Sequence, residues 1–318
     1  MAAFPIFFAV IENDLRRVLG YSMINQIGFM VVGVGIGTDL AINGAVAHAF
    51  NDVLFKGLLM MSMGAVLYRT GEMRGSELGG LYKSMPITTG FCMVGAASIS
   101  AFPLFSGFVS KSMIMVAAAE EHHTLTWFVL LFASAGVFHH AGIKIPFFAF
   151  FAHDSGKRCK EAPLNMLIAM GLAASLCIFN GSYPSVLYSL LPMPNSYHPY
   201  DMTHVVTQLQ ILFYSAGAFT CLMLLKLYPP ELRSTNLDAE WVYRKGAKGV
   251  MALLTGPLGR AAGAFQSFVL GWLPRKCAAL AQDVQEEERQ VSGWLTGTSL
   301  LIAMLVLVAY LIMDFIRA

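Results

Sequence analysis

Long apolar runs alternate with short polar links along almost the whole chain. Runs over residues 19–38, 41–68, 125–151, 164–191, 205–228 and 294–315 each come near or exceed the ~20 residues that cross a bilayer as a helix. A further run, 86–119, is interrupted in its middle by Ala101-Phe-Pro-Leu-Phe-Ser-Gly-Phe-Val-Ser-Lys111. Pro103 removes a backbone donor and clashes with the preceding turn, and Gly107 is the weakest helix former after proline. The pattern predicts a helix broken around Pro103 and Gly107, with Lys111 in the first turn past the break. Residues 2–11 are apolar but too short to span, and read as the tail of a helix whose beginning is absent.

Composition agrees with this pattern. The 318 residues are 56% hydrophobic and 13% charged, with mean hydropathy +0.61. Soluble domains sit near one-quarter charged, so the expectation is an all-α polytopic membrane protein of about seven to eight transmembrane helices, one of them discontinuous. A net charge of +2 with no basic, aromatic-laced patch gives no reason to expect nucleic acid. The five cysteines are scattered without metal or disulfide spacing, and no phosphate loop or nucleophile–base pair is visible. No cofactor and no enzymatic activity of the chain's own are expected. The N-terminus lacks a basic stretch before its apolar run and does not look like a signal peptide.

Charge decides how the broken run crosses. With Arg16 and Arg17 inside, two separate crossings over 86–119 would put Lys157, Arg158 and Lys160 outside. One discontinuous crossing puts that cluster, the Arg69–Lys83 loop and the basic 231–290 stretch all inside, as the positive-inside rule requires. Lys111 then lies on the outer side of the break.

Ionisable residues within the spans are costly, and so read as functional. His48, Asp52 and Lys56 recur at i, i+4 and i+8, forming one tilted stripe about 12 Å long in which Asp52 could bridge both neighbours. A structural Asp–Lys pair would need only two of the three. His140 and Lys144 share a helix face in 125–151, with His139 about 100° away; Lys144 could also snorkel to the inner interface. Glu12, Asp14 and Asp314 read as interfacial.

Three motifs carry a resemblance. They are Leu15-Arg-Arg-Val-Leu-Gly-Tyr-Ser22 with Asn25-Gln-Ile-Gly-Phe29, then His48…Phe55-Lys56-Gly-Leu-Leu59, then Phe105-Ser-Gly-Phe-Val-Ser-Lys111. In this order they resemble the proton-conducting antiporter-like membrane subunits of respiratory complex I, membrane-bound hydrogenases and multisubunit cation/proton antiporters, the D subunit in particular. The resemblance implies two inverted five-helix repeats, each with a broken helix, joined by a chain of buried lysines, histidines and acids. It implies that Lys111 is the ionisable residue of the second broken helix, and that His48 and Lys56 are the connecting residues of the helix before it. Asp52 stands where complex I relatives often carry histidine. The matching part is the second repeat, so the first would come from a partner subunit or from a longer reading frame.

The expected organisation is therefore a second antiporter-like repeat over 1–160, two further crossings over 161–230, a basic amphipathic segment over 231–290 and a final crossing over 291–318. Gly256-Pro257 and Pro274 are expected to cut the amphipathic segment into separate lipid-surface helices rather than one lateral helix. The expected function is translocation of H⁺, with Na⁺ as a further candidate, by a relay of Lys111, Lys56, Asp52, His48, His140 and Lys144. It would act within a multisubunit complex in a bacterial cytoplasmic membrane, with other membrane subunits and the bilayer as partners. The alternatives are a structural subunit that packs against partners without conducting ions, and a standalone secondary transporter.

Overall fold

The computed structural model describes residues 1–228, 231–232, 236, 241–288 and 296–317. Two compact units divide the chain, Met1–Asn236 and Leu237–Ala318. The first is a helical bundle of α1 (Phe4–Ile11), α2 (Leu15–Ile36), α3 (Asp39–Thr70), α4 (Pro86–Ile99), α5 (Ser106–Glu120), α6 (Thr124–Phe151), α7 (Leu164–Ser182), α8 (Pro184–Tyr188) and α9 (Met202–Leu224). Five of these, α2, α3, α6, α7 and α9, are long and apolar enough to cross a membrane. The half-helices α4 and α5 supply the discontinuous crossing. The described residues are thus those of an all-α polytopic membrane protein.

Local chemistry sets the element ends. Asp14 caps α2 by accepting from the backbone N–H groups of Arg16 and Arg17 at 2.9 and 3.3 Å. Thr38 caps α3, and Asp39 in its first turn faces the positive end of the helix dipole. Glu161 closes the start of α4, accepting from Ile87 N at 2.8 Å and Thr88 Oγ1 at 2.6 Å.

The longest helix of the bundle, α3, lies in its middle, packed on α2, α4, α5 and α7. Its buried face carries Asn43, His48, Asn51, Asp52, Lys56 and Ser62 among apolar residues. Such a face cannot meet lipid without an unsatisfied polar group, so the other helices must surround it. Loop contacts fix the topology of the broken crossing. Lys83 pairs with Asp154 at 3.3 Å and Arg69 Nε donates to the Glu161 carbonyl at 2.9 Å. The loop after α3 and the segment after α6 therefore lie at one end of the bundle, the arrangement that a single crossing over α4 and α5 requires.

In the second unit a helical run is continuous over residues 241–288, about 70 Å if straight at 1.5 Å per residue. Gly256-Pro257 and Pro274 do not cut it. Pro257 sits inside a π-type turn, Leu254–Leu258, whose wider hydrogen-bonded ring absorbs the missing N–H. Pro274 comes two residues after another, Phe268–Trp272. The last helix, Thr296–Arg317, covers most of the final apolar run. Residues 289–295, which include the expected start of that crossing at 291 and Trp294, are outside the described residues, as are 229–230, 233–235, 237–240 and 318.

Candidate ion-translocation site

The break spans Ser100 to Phe105, with Ala101 and Leu104 at φ 58° and 73°. Pro103 lies inside it. Gly107 does not: it is the second residue of α5, and a Cβ there would stand 1.9 Å from the Ser98 carbonyl oxygen. Its role is to let the two half-helices approach, as Gly181 does for α7 against Leu104 and Phe105. Interrupting a helix orphans carbonyls, and side chains satisfy those around this break. Lys111 Nζ donates to the Ile99 carbonyl at 3.0 Å and Gln208 to Ser100 at 3.3 Å, while Asn51 adds a bond to the Ser106 carbonyl in the first turn of α5 at 2.9 Å. Asn180 in turn donates to Asn51 Oδ1 at 3.0 Å. Lys111 is 2% exposed and sits 5.2 Å from the centroid of the Phe29 ring, a cation–π contact.

His48 is fully buried between Phe29 and Phe55, with Nε2 2.9 Å from Gln26 Oε1 and Nδ1 3.0 Å from Ser110 Oγ. Gln26 Nε2 donates to Asn25 Oδ1 at 2.6 Å, so with this amide orientation its oxygen faces His48 as an acceptor. The Nε2 proton is thereby fixed. The Ser110 hydroxyl also reaches the Ser106 carbonyl at 3.3 Å. It donates to Nδ1 when the ring is neutral, and to Ser106 when Nδ1 carries a second proton and donates to Ser110. One cage therefore satisfies both protonation states of His48.

Asp52 does not bridge its neighbours on α3. Lys56 Nζ donates instead to Ser22 Oγ on α2. Among the described residues no ion pair joins Asp52 to a lysine, and Asp52 Oδ1 is buried without a hydrogen-bond partner. An α-helical stripe puts side chains side by side, but each long side chain then bends to the nearest partner on a facing helix.

On α6 the ladder is interrupted by π-type turns at Phe138–Ile143 and Phe147–Phe151, on either side of Pro146, which has no N–H to give. His140 is fully buried and neither ring nitrogen has a well-formed hydrogen bond among the described residues. His139 is packed on Phe219 and Tyr228 instead. Lys144 does not snorkel. It is fully buried and donates to the carbonyls of Ala9, Val10 and Glu12 at 3.3, 2.6 and 2.7 Å, capping the end of α1. Glu12, expected at an interface, is 3% exposed.

All six ionisable residues singled out in the sequence are therefore buried in the one bundle. Ser22, Gln26 and Ser110, which lie inside the three motifs, and Asn51, Asn180 and Gln208 hold them or the break, and none of these had been assigned a role from the sequence. A cavity of about 310 Å³ adjoins Lys111, lined also by Glu120, Asp201, His204 and Gln208. It lies at the end of the bundle opposite the basic loops, where α5 ends and α9 begins.

A discontinuous helix whose lysine closes its own break, packed against a helix that buries a polar face, places the described residues among helical membrane proteins with polar groups inside the bundle. Within that class, residues 4–138 match the family described as NADH:quinone oxidoreductase/Mrp antiporter, TM, and the chain is similar to these antiporter-like membrane subunits. It is 38% identical over 116 residues to a subunit of the probable K(+)/H(+) antiporter of Rhizobium meliloti, covering 36% of this chain and 12% of that one. It is 32% identical over 219 residues to a subunit of the Na(+)/H(+) antiporter of Bacillus subtilis, covering 61% and 27%. Its fold is similar, with a TM-score of 0.59 and 25% identity over 96% of this chain and 54% of the other, to a chain of the membrane-bound sulfane sulfur reductase, an archaeal respiratory membrane complex. The chain thus spans well under a third of the length of these two curated relatives.

Proposed function

We propose that the chain is an ion-translocating membrane subunit of a multisubunit complex, moving protons along Lys144, His140, Lys56, Asp52, His48 and Lys111, with Na⁺ as a further candidate ion. The observation that carries this reading is the His48 cage, which offers hydrogen-bond partners to the neutral and to the charged ring by rotating one serine hydroxyl. A structural histidine needs partners for one state; a relay residue needs them for two. Lys111 supports the same reading from the other end of the path, buried at the break yet bordering a cavity. Charge arriving on one buried lysine repels a proton from the next, because low dielectric lengthens the reach of each charge. Any oxidoreductase chemistry of the parent complex would reside in other subunits. Partner membrane subunits would complete the path, and the setting would be a bacterial cytoplasmic membrane.

The test is Lys111→Ala in the assembled complex, reconstituted in vesicles with an interior pH dye, in Na⁺-containing and Na⁺-free buffer. Loss of translocation with subunit stoichiometry intact is the expected result. Normal H⁺ and Na⁺ movement would overturn the reading and leave a packing role in its place.

A further inference from the structure

Glu231, a few residues past α9, is the partner of the buried Lys144. Its Oε1 lies 2.9 Å from Lys144 Nζ, with the Lys144 side chain fully buried and that of Glu231 5% exposed. The three ammonium protons of Lys144 are already directed at the carbonyls of Ala9, Val10 and Glu12. The carboxylate is thus held chiefly by charge, and neither of its oxygens has an aligned hydrogen bond among the described residues. An acid so placed keeps its lone pairs free for a proton.

Glu231 also lines a cavity of about 490 Å³, together with Ser76, His153, Lys226 and Tyr228. Ser76 belongs to the loop after α3 and His153 to the segment after α6, so this cavity is at the basic end of the bundle, opposite the one beside Lys111. Its volume holds on the order of ten or more waters at about 30 Å³ each. Burial pushes the Glu231 carboxyl up and the Lys144 charge opposes that shift, while the Glu12 carboxylate adds to the rise. Tyr228, Lys226 and His153 are the other ionisable groups that line this cavity.

We propose that Glu231 is a proton-exchange residue that links this cavity to Lys144. The protonated carboxyl of Glu231 gives its proton to the neutral Lys144 amine, leaving a carboxylate and an ammonium. A protonated water in the cavity then restores the carboxyl, and becomes neutral water. This rests on the translocation reading above, and adds to it a residue outside the membrane-spanning helices that connects the relay to water.

Two measurements on the intact complex test it. Glu231→Gln is expected to slow translocation at least tenfold with assembly unchanged. In the unsubstituted complex a hydrophobic carbodiimide, which attacks protonated buried carboxyls, is expected to form an adduct at Glu231, mapped by mass spectrometry, and to stop translocation. Glu231→Gln at the unsubstituted rate, beside an inactive Lys111→Ala, overturns the inference while the translocation reading stands. Absence of an adduct at Glu231 overturns it even if Glu231→Gln fails to assemble. An active Lys111→Ala instead removes the translocation reading itself.

Discussion

Lys111 donates its ammonium proton to the Ile99 carbonyl at 3.0 Å, so the lysine of α5 closes the end of α4, the half-helix that precedes it in the same crossing. The group proposed to exchange a proton is also the group that satisfies the break. Neutral amine retains two N–H donors, so the cap survives loss of the charge.

That dual role separates two substitutions. Lys111→Arg keeps a donor for Ile99 and should assemble normally, yet arginine does not deprotonate in proteins, so translocation should fall at least tenfold. Lys111→Met removes the donor as well, and should lower stability by about 1–3 kcal/mol through the unsatisfied carbonyl. Thermal melts of the solubilised complex beside vesicle transport distinguish the two.

Ser110→Ala leaves the His48 ring with its Gln26 partner but without a second one. Translocation should drop while the melting temperature moves little, since one neutral hydrogen bond contributes about 0.5–1.5 kcal/mol. Ser110→Thr keeps the hydroxyl and should restore most of the rate. Equal transport by Ser110→Ala and the parent protein would remove His48 from the path.

Asn180, Asn51 and the Ser106 carbonyl form a chain of hydrogen bonds across α7, α3 and α5. Asn51→Ala and Asn180→Ala should each destabilise, and the double variant should cost less than their sum, with a coupling on the order of 0.5–3 kcal/mol in a double-mutant cycle. Additive effects would mean that the two amides act independently.

Outside the membrane, the hydrogen-bonded Arg74 guanidinium pulls the Glu72 carboxyl from its ordinary 4.5 down to about 2. A depressed acid contributes stability above its unfolded value and loses it as pH falls through the folded one. The melting temperatures of the parent protein and Glu72→Gln should therefore differ above about pH 4.5 and converge on acidification toward about pH 2. A gap unchanged over that range would show that the pair contributes nothing through its charge.

Hydrophobic periodicity and charge were enough to determine the membrane class, the broken crossing and its single passage. A bilayer tolerates polar backbone and charge in few places, so each departure from an apolar run is informative. The same penalty made His48, Asp52, Lys56, Lys111, His140 and Lys144 legible. Partners were not legible, because a partner is fixed by which face of a facing helix arrives opposite. Gln26, Ser110 and Asn51 look like ordinary polar residues until α2, α5 and α3 are packed together. Lys144 read as a snorkelling side chain, whereas the end of α1 and Glu231, distant in sequence, draw it inward. Gly107 read as a helix breaker and proved to be a point of close approach. The prolines at 257 and 274 read as cuts, but a helix with π-type turns passes through them. Sequence spacing reports what one helix presents; only tertiary packing decides which neighbour satisfies it.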